Sequence, residues 1–241
     1  MIRICLKPVT FIFFIAITFS IPLAAQNGHL VATHYLEQSG GYAPLYNGKI
    51  PPAYKQIYEG TYYLTSDVFY KGTVRYNGKF YTDVLLNLNA HLDELYIRMP
   101  QYYTSSILLK NHVSSFSLEG MEFIHITKEE WPGAPEEGYY QILYSGKEIS
   151  ILKKNEKKMK SKAAEIEAKA SHYFSESIDY YVLRDGIFYP FKGKLSFLRI
   201  LRDKRSVLNR YIRENKLKFS KEVKDASITL CAEKYEKILT Q

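Results

Sequence analysis

Lys79–Leu88 reads KFYTDVLLNL and is the stretch that decides the fold. Apolar and polar residues alternate along it, and a period of two is typical of a β-strand with one buried face. One face carries Phe80, Thr82, Val84, Leu86 and Leu88, and the other carries Lys79, Tyr81, Asp83 and Asn87, with Leu85 as the exception. The pattern therefore predicts a strand that packs the face containing Phe80 on the core.

The same pattern of strand, tight turn and strand recurs along the chain. Asn77-Gly78 precedes the first stretch, and both positions tolerate the positive φ that a two-residue hairpin turn requires. Further strand pairs flank a turn that ends in glycine: Val113–Leu118 and Met121–Ile126, Tyr139–Tyr144 and Glu148–Leu152, and Ile178–Leu183 and Ile187–Phe191. Sequential antiparallel strands predict a β-meander, as an open sheet or a half-barrel, over about residues 57–192.

The hydrophobic period becomes helical after the last strand. Two C-terminal helices are predicted, over about 195–215 and about 220–239, and the hydroxyl of Ser220 is a suitable N-cap for the second. Strands first and helices last indicate the α+β class. The Lys-rich segment 153–170 has few apolar residues, and we expect it to be an exposed, partly helical insertion.

Residues 1–25 have the pattern of a secretory signal peptide. Arg3 and Lys7 form a positive region, Val9–Ile21 is apolar, and Ala25 is a small residue at the cleavage point. The apolar region is shorter than the roughly 20 residues of a permanent membrane span. We therefore expect cleavage near Ala25 and an exported protein, periplasmic or associated with the outer membrane. An uncleaved anchor is the alternative.

The rest of the chain is predicted to be one domain with a lead-in. Residues 26–56 are polar and rich in turns, which indicates an extended segment before a single α+β domain at 57–239. The full chain of 241 residues is 46% hydrophobic and 24% charged, a globular composition that excludes a disordered or collagen-like chain. Its 22 tyrosines suit the faces of a sheet.

The two cysteines predict no disulfide within the mature chain. Cys5 lies in the predicted signal peptide, so cleavage leaves Cys231 without an intrachain partner. Cys231 stands between apolar residues in a helical pattern. We expect it to be a buried structural thiol.

The sequence contains no familiar catalytic motif. We find no G-x-S-x-G, H-E-x-x-H, P-loop or dinucleotide-binding motif, and we therefore expect a non-enzymatic protein without a cofactor or a metal site. Asp67 and Asp83 could form a glycosidase-type acid pair, although such residues in strands and turns are usually exposed. His91, Asp93 and Glu94 could bind a metal, but the cluster fits a polar turn equally well.

Two features are candidates for binding a partner. Trp131, the only tryptophan, lies in a proline-containing acidic loop at 129–138, where a rigid aromatic ring suits the role of an anchor. Alternatively, Trp131 folds back and covers the edge of the sheet. The second feature is the basic first C-terminal helix, whose arginines are Arg199, Arg202, Arg205, Arg210 and Arg213.

The basic helix face has several interpretations. Clustered basic residues are typical of nucleic-acid binding, but export makes nucleic acid an unsuitable partner. An envelope protein or an anionic membrane surface would match the charge. The alternative is a solvated outer face on a helix whose leucines pack on the sheet.

The C-terminal half contains a Lys-rich stretch after Leu152 and three further runs: Gly138–Lys147, Tyr180–Gly186 and Asn215–Phe219. Together they resemble a family of exported bacterial cell-envelope proteins of unknown function. The resemblance covers about residues 57–239. It implies export and one shared architecture, and it carries no catalytic residue over to this chain.

These observations favour a non-enzymatic binding or interaction module for another component of the cell envelope. The alternative is a periplasmic carrier that holds a lipid or another apolar ligand in a cleft of a curved sheet. The two hypotheses differ in one structural requirement. The carrier needs an apolar cleft of several hundred Å³ that the C-terminal helices leave open.

Overall fold

The computed structural model describes residues 44–99, 104–162 and 171–240, which form one large sheet with helices packed against it. The predictions for residues 1–43 and 163–170, the signal peptide included, lie outside the described residues. Within the described ranges, no helix is long and apolar enough to cross a membrane.

The sheet contains eleven strands in the described part of the chain. They are β1 Tyr58–Glu59, β2 Tyr70–Tyr76, β3 Lys79–Asn89, β4 Glu94–Arg98, β5 Ser105–Ile107, β6 Val113–Leu118, β7 Met121–Ile126, β8 Gly138–Ser145, β9 Ser150–Lys162, β10 Ser171–Arg184 and β11 Ile187–Phe191. Their spatial order is β1-β10-β9-β8-β7-β6-β2-β3-β4-β5, and β11 also pairs with β10. Among the strand pairs of the described residues, only β1–β10 is parallel. The open, mostly antiparallel sheet and the C-terminal helices confirm the predicted α+β fold.

The strands form two meanders rather than one. β2 to β5 follow one another, as do β6 to β11, but β6 pairs with β2 and not with β5. A short 3-10 helix at Lys110–His112 leads the chain from β5 back to β2. The His112 carbonyl accepts a hydrogen bond from the Asn77 N–H at 2.8 Å. Because this bond sets Val113 opposite Tyr76, β6 starts beside β2. The predicted β-meander is therefore interrupted at this connection.

A β-bulge reverses the alternation at the start of β3. Asp83 has a φ of +54°, and β3 contains one extra residue there in its pairing with β2. Because an extra residue moves the preceding side chains to the other face, Tyr81 is 5% exposed and Phe80 is 40% exposed. The predicted inward face is right after the bulge, where Val84 and Leu86 are buried, and wrong for Phe80.

β9 and β10 form a long ribbon that contains most of the Lys-rich segment. Their pairing is continuous from Ser150 opposite Leu183 to the far end of both strands. Lys157 lies opposite Glu176, so opposite charges face each other across the ribbon. Residues 153–162 are therefore strand, and the predicted partly helical insertion is wrong for them. Pairing with β10 outweighs the polarity on which that prediction depended.

Three helices follow the sheet in the described residues: α1 Lys194–Ile200, α2 Arg205–Glu214 and α3 Lys224–Leu239. The predicted helix at 195–215 is broken at Leu201, whose φ of −92° and ψ of 42° leave the helical region. Leu201 is 0% exposed, so the break keeps this side chain in the core.

The last helix also begins later than predicted. Ser220 lies in a turn, where its carbonyl accepts a hydrogen bond from the Val223 N–H at 3.2 Å. The cap position of α3 is Val223, and its side chain offers no hydrogen bond. The predicted cap at Ser220 is therefore wrong.

Three hydrophobic clusters share the strands of the sheet. The first is built on β2 to β8 and includes Leu86, and the second lies beneath the helices and includes Cys231. The third lies on the other face of β8 and β9 and contains Tyr140 and Leu152. Cys231 is 0% exposed, which confirms the predicted buried thiol, and burial raises its pKa to about 12.

The described part of the lead-in packs against the domain that follows it. Tyr46 is buried in the first cluster. Tyr54 stacks on Tyr62 with ring centroids 4.3 Å apart and meets Phe174 of β10 edge-on at 5.7 Å. These rings form a tyrosine-rich aromatic cluster, which agrees with the high tyrosine content of the sequence.

Candidate anion-binding cleft

A cavity of about 580 Å³ opens where the turn between β10 and β11 meets the end of α1. Its lining residues are Arg184, Asp185, Tyr189, Arg199, Ile200, Arg202 and Asp203. Five of the seven are charged and three are arginines. We call this cavity the arginine cleft; its volume is within the range of ligand pockets, about 300–1,000 Å³.

The hairpin turn holds Arg184 at the cleft. Asp185 and Gly186 have φ values of 52° and 75°, the left-handed pair of the two-residue turn that the sequence predicted. Arg184 is the last residue of β10 and lies opposite Ile187. The strand register therefore fixes the position of its backbone.

The break after α1 supplies the other two arginines. Arg199 lies in the last turn of α1, and Arg202 begins a short 3-10 helix, Arg202–Lys204. The buried Leu201 stands between them, so both arginines stay at the surface beside the same core residue. The structure thus brings two of the five sequence-predicted arginines into one cavity.

Asp203 connects the cleft to α3. Its Oδ2 accepts a hydrogen bond from the Tyr235 hydroxyl at 3.0 Å. Burial and this hydrogen bond to a carboxylate raise the pKa of Tyr235 to about 12, so the phenol stays protonated at neutral pH and continues to donate. The other carboxylate oxygen, Oδ1, lies 3.9 Å from Nη1 of Arg184.

The arginines of the cleft are only partly neutralised. Arg184 lies 3.7 Å from Asp185 and 3.9 Å from Asp203, and both distances exceed those of direct hydrogen bonds. Among the described residues, no carboxylate is within ion-pair distance of Arg199 or Arg202. Three guanidinium groups thus face two carboxylates, and the cleft has an excess of positive charge.

This chemistry suits an anionic group. A guanidinium presents N–H donors in a planar fork that matches a carboxylate or a phosphate. The ring of Tyr189, which is 36% exposed, provides a flat surface beside the arginines. The lining is mainly charged, so an apolar ligand would have to desolvate these groups without compensation.

The other predicted arginines lie outside the cleft. Arg205, Arg210 and Arg213 are exposed on α2, while Leu208 and Ile212 of the same helix are buried. This arrangement is the solvated outer face that the sequence left open as an alternative.

Trp131 packs on the sheet and does not line the cleft. Its ring meets Phe188 of β11 edge-on, with centroids 6.0 Å apart, and it contacts the third cluster. Its backbone N–H donates to the carbonyl of Thr127 at 2.9 Å. The placement corresponds to the alternative in which the loop folds back.

Of the seven lining residues only Arg199 and Arg202 were predicted as site residues, and Arg184 and Asp203 are the missed ones for which the sequence held a signal. Arg184 directly precedes a predicted two-residue turn, and its position at the end of a strand was the available signal. Asp203 is an isolated acid in a basic segment, which was a signal for a charge partner. Neither signal shows that the two side chains meet, because β10 and the helices are distant in sequence.

No protein-family model, curated protein or solved structure matches this chain. The resemblance to exported envelope proteins therefore stays a prediction. In the part of the chain that the structure describes, no three His, Cys, Asp or Glu side chains form a group suited to a metal ion.

Proposed function

We propose that this protein is an exported, non-enzymatic binding module of the cell envelope. Its partner is another envelope protein, and the arginine cleft holds an anionic group of that partner. The observation that carries the proposal is the convergence of Arg184, Arg199 and Arg202 on one cavity. The signal-peptide pattern at 1–25 supports the location.

The geometry supports recognition of a carboxylate or a phosphate on the partner. Arg199 and Arg202 come from one side of the cleft and Arg184 from the other, so a bound oxyanion can accept hydrogen bonds from two directions. The backbones that carry these arginines are fixed by a strand end, a helix end and a 3-10 helix, so only the side chains lose conformational entropy on binding.

The carrier hypothesis has less support. A carrier would need an open apolar cleft, but the arginine cleft is lined mainly by charged side chains. The apolar residues beneath the helices form a packed cluster, in which Phe197, Leu201 and Tyr235 are each 0% exposed.

The proposal can be tested by crosslinking the tagged full-length chain in cells and identifying bound molecules by mass spectrometry. We expect a recurrent protein partner whose crosslinks map near Tyr189 and Arg199. The double variant Arg199→Glu and Arg202→Glu should lose this partner because it reverses two charges of the cleft.

A matched control is the double variant Arg210→Glu and Arg213→Glu, which makes the same charge change on α2 outside the cleft. It should keep the partner. Equal loss in both variants would show that general basic charge, not the cleft, holds the partner. A stoichiometric lipid without a protein partner would overturn the proposal in favour of the carrier.

A further inference from the structure

A second cavity, of about 380 Å³, opens between β9 and the turn that joins β3 to β4. Its lining includes Asp93, Lys110, Glu136, Lys154, Glu156 and Lys158. We call it the lysine cleft. It is separate from the arginine cleft, since the two share no lining residue.

A buried lysine lies at the centre of the lysine cleft. The Lys154 side chain is 5% exposed, and its Nζ lies 2.9 Å from Oδ2 of Asp93. Despite this ion pair, Nζ has no hydrogen bond of good geometry to any residue that the structure describes. It also lies 5.1 Å from the centre of the Tyr140 ring. A buried ammonium therefore has donor capacity that the protein does not use.

The single carboxylate of Asp93 cannot neutralise both lysines that contact it. Its Oδ2 contacts both Lys154 and Lys110, the latter at 2.5 Å, and also accepts a hydrogen bond from the Tyr139 N–H at 3.2 Å. Two ammonium groups thus share one carboxylate and leave one local positive charge, although the whole lining holds four lysines and four acids.

Two of the other three acids that line the cleft, Glu156 and Glu137, have partners of their own. The Glu156 carboxylate lies 3.1 Å from Nζ of Lys158, and the Glu137 carboxylate accepts a hydrogen bond from the Lys128 N–H at 2.9 Å. They therefore do not supply the acceptor that Lys154 lacks.

The backbone of Gly138 makes room for the contact between Asp93 and Lys154. Gly138, at the start of β8, has a φ of +142°, and a Cβ at this position would collide with Asp93 Oδ2 and Lys154 Nζ. The absence of a side chain at Gly138 lets the two charged groups lie in contact.

We propose that the lysine cleft is a second binding site, which takes a compact oxyanion (a carboxylate or a phosphate group) on Lys154 and Lys110. The entering oxygen supplies the acceptor that Lys154 lacks and balances the charge that Asp93 leaves in excess. This inference is independent of the proposed function at the arginine cleft.

The test is calorimetric titration of the purified protein with sodium phosphate and with sodium acetate at constant ionic strength. All proteins carry Arg199→Glu and Arg202→Glu, so that the arginine cleft does not bind the probe. We expect binding in this background, and Lys154→Met should weaken it about tenfold to a hundredfold, the effect of losing a charged hydrogen bond. The anion that binds more tightly identifies the group as phosphate or carboxylate.

Lys153→Met is the matched control. Lys153 is the next residue on β9, faces the opposite side of the sheet, and has its own ion pair with Asp225 at 2.7 Å. It should leave the affinity unchanged. Equal affinities in the two methionine variants, or no binding of either anion in the starting background, would overturn the proposal.

A measurement on the protein with Lys154 intact covers the case in which Lys154→Met fails to fold. The Tyr139 amide donates to Asp93, so its NMR signal should shift when phosphate is added. An unmoved Tyr139 signal would contradict the proposal. The crosslinking test of the arginine cleft is unaffected by this outcome, so the two proposals fail separately.

Discussion

Gly138 shows how one residue controls a charged cluster. Its φ of +142° disfavours other residues, and the space that a Cβ would need is taken by Asp93 and Lys154. We expect Gly138→Ala to lower the free energy of unfolding by about 3 kcal/mol or more, because the buried ion pair must separate. Chemical denaturation of the purified variant measures this loss.

Gly120→Ala is the control for backbone strain. Gly120 also has a positive φ, of +74°, but a Cβ there would meet nothing within 4 Å. Gly120→Ala should lower the free energy of unfolding by about 1 kcal/mol, because only the backbone conformation is disfavoured. Equal losses at Gly138 and Gly120 would mean that crowding of the ion pair contributes nothing.

His125 makes stability depend on pH. Burial lowers the pKa of His125 below its ordinary value, and the nearby charge of Lys110 lowers it further. Asp93, a backbone hydrogen bond and Glu130 raise the pKa, but their effects are weaker. Between the folded and unfolded pKa values the unfolded chain binds more protons, so stability rises with pH through this window. Acidification from about pH 7.5 to about pH 5.5 should therefore reduce the free energy of unfolding.

Urea denaturation of the wild type and of His125→Gln at both pH values isolates this contribution. The variant has no imidazole to protonate, so it should lose less stability on acidification than the wild type. The same loss in both proteins would assign the pH dependence to other groups.

At the scale of single elements, the sequence predicted strands better than their faces. β6, β7 and β11 have the predicted bounds, because alternation and glycine turns are local signals. The bulge at Asp83 is different, since it depends on how β3 pairs with a neighbour. The predicted burial of Phe80 therefore failed although the strand itself was correct.

The predictions for the helices and for the ribbon of β9 and β10 failed for a related reason. Local propensity allows a helix through Leu201, but burial of this side chain against the sheet favours the break. β9 is rich in lysine and has no clear alternation, and its pairing with β10, and with β8 over residues 150–153, makes it a strand. The sequence predicted Arg199 and Arg202 of the arginine cleft, which lie close together in the chain. It did not predict Arg184, which comes near them only in the folded chain.

At the scale of the whole molecule, the three clusters are coupled by shared strands. β8 places Tyr139 in the first cluster and Tyr140 in the third, and β9 places Ile151 in the second and Leu152 in the third. Loss of one cluster therefore disrupts strands that the others need. We expect the described part of the chain to unfold as one cooperative unit.

Trp131 is a natural probe for this prediction, because the only tryptophan of the chain contacts the third cluster. Its fluorescence and the far-ultraviolet circular dichroism of the sheet should change with the same midpoint in urea. Separate midpoints would show that the third cluster opens independently. The denaturant slopes of the two probes provide a second comparison.

The parallel pair of β1 and β10 sets an order of events during synthesis. Tyr58 of β1 leaves the ribosome early, yet its partner His172 belongs to the last third of the chain. Closing so long a loop is entropically costly, and contacts of this kind form late in folding. The contact between the rings of Tyr54 and Phe174 likewise forms only after Phe174 has been synthesised. A nascent chain that stalls before β10 thus has an early strand without its partner, and it exposes the sides of Tyr54 and Tyr58 that Phe174 would cover.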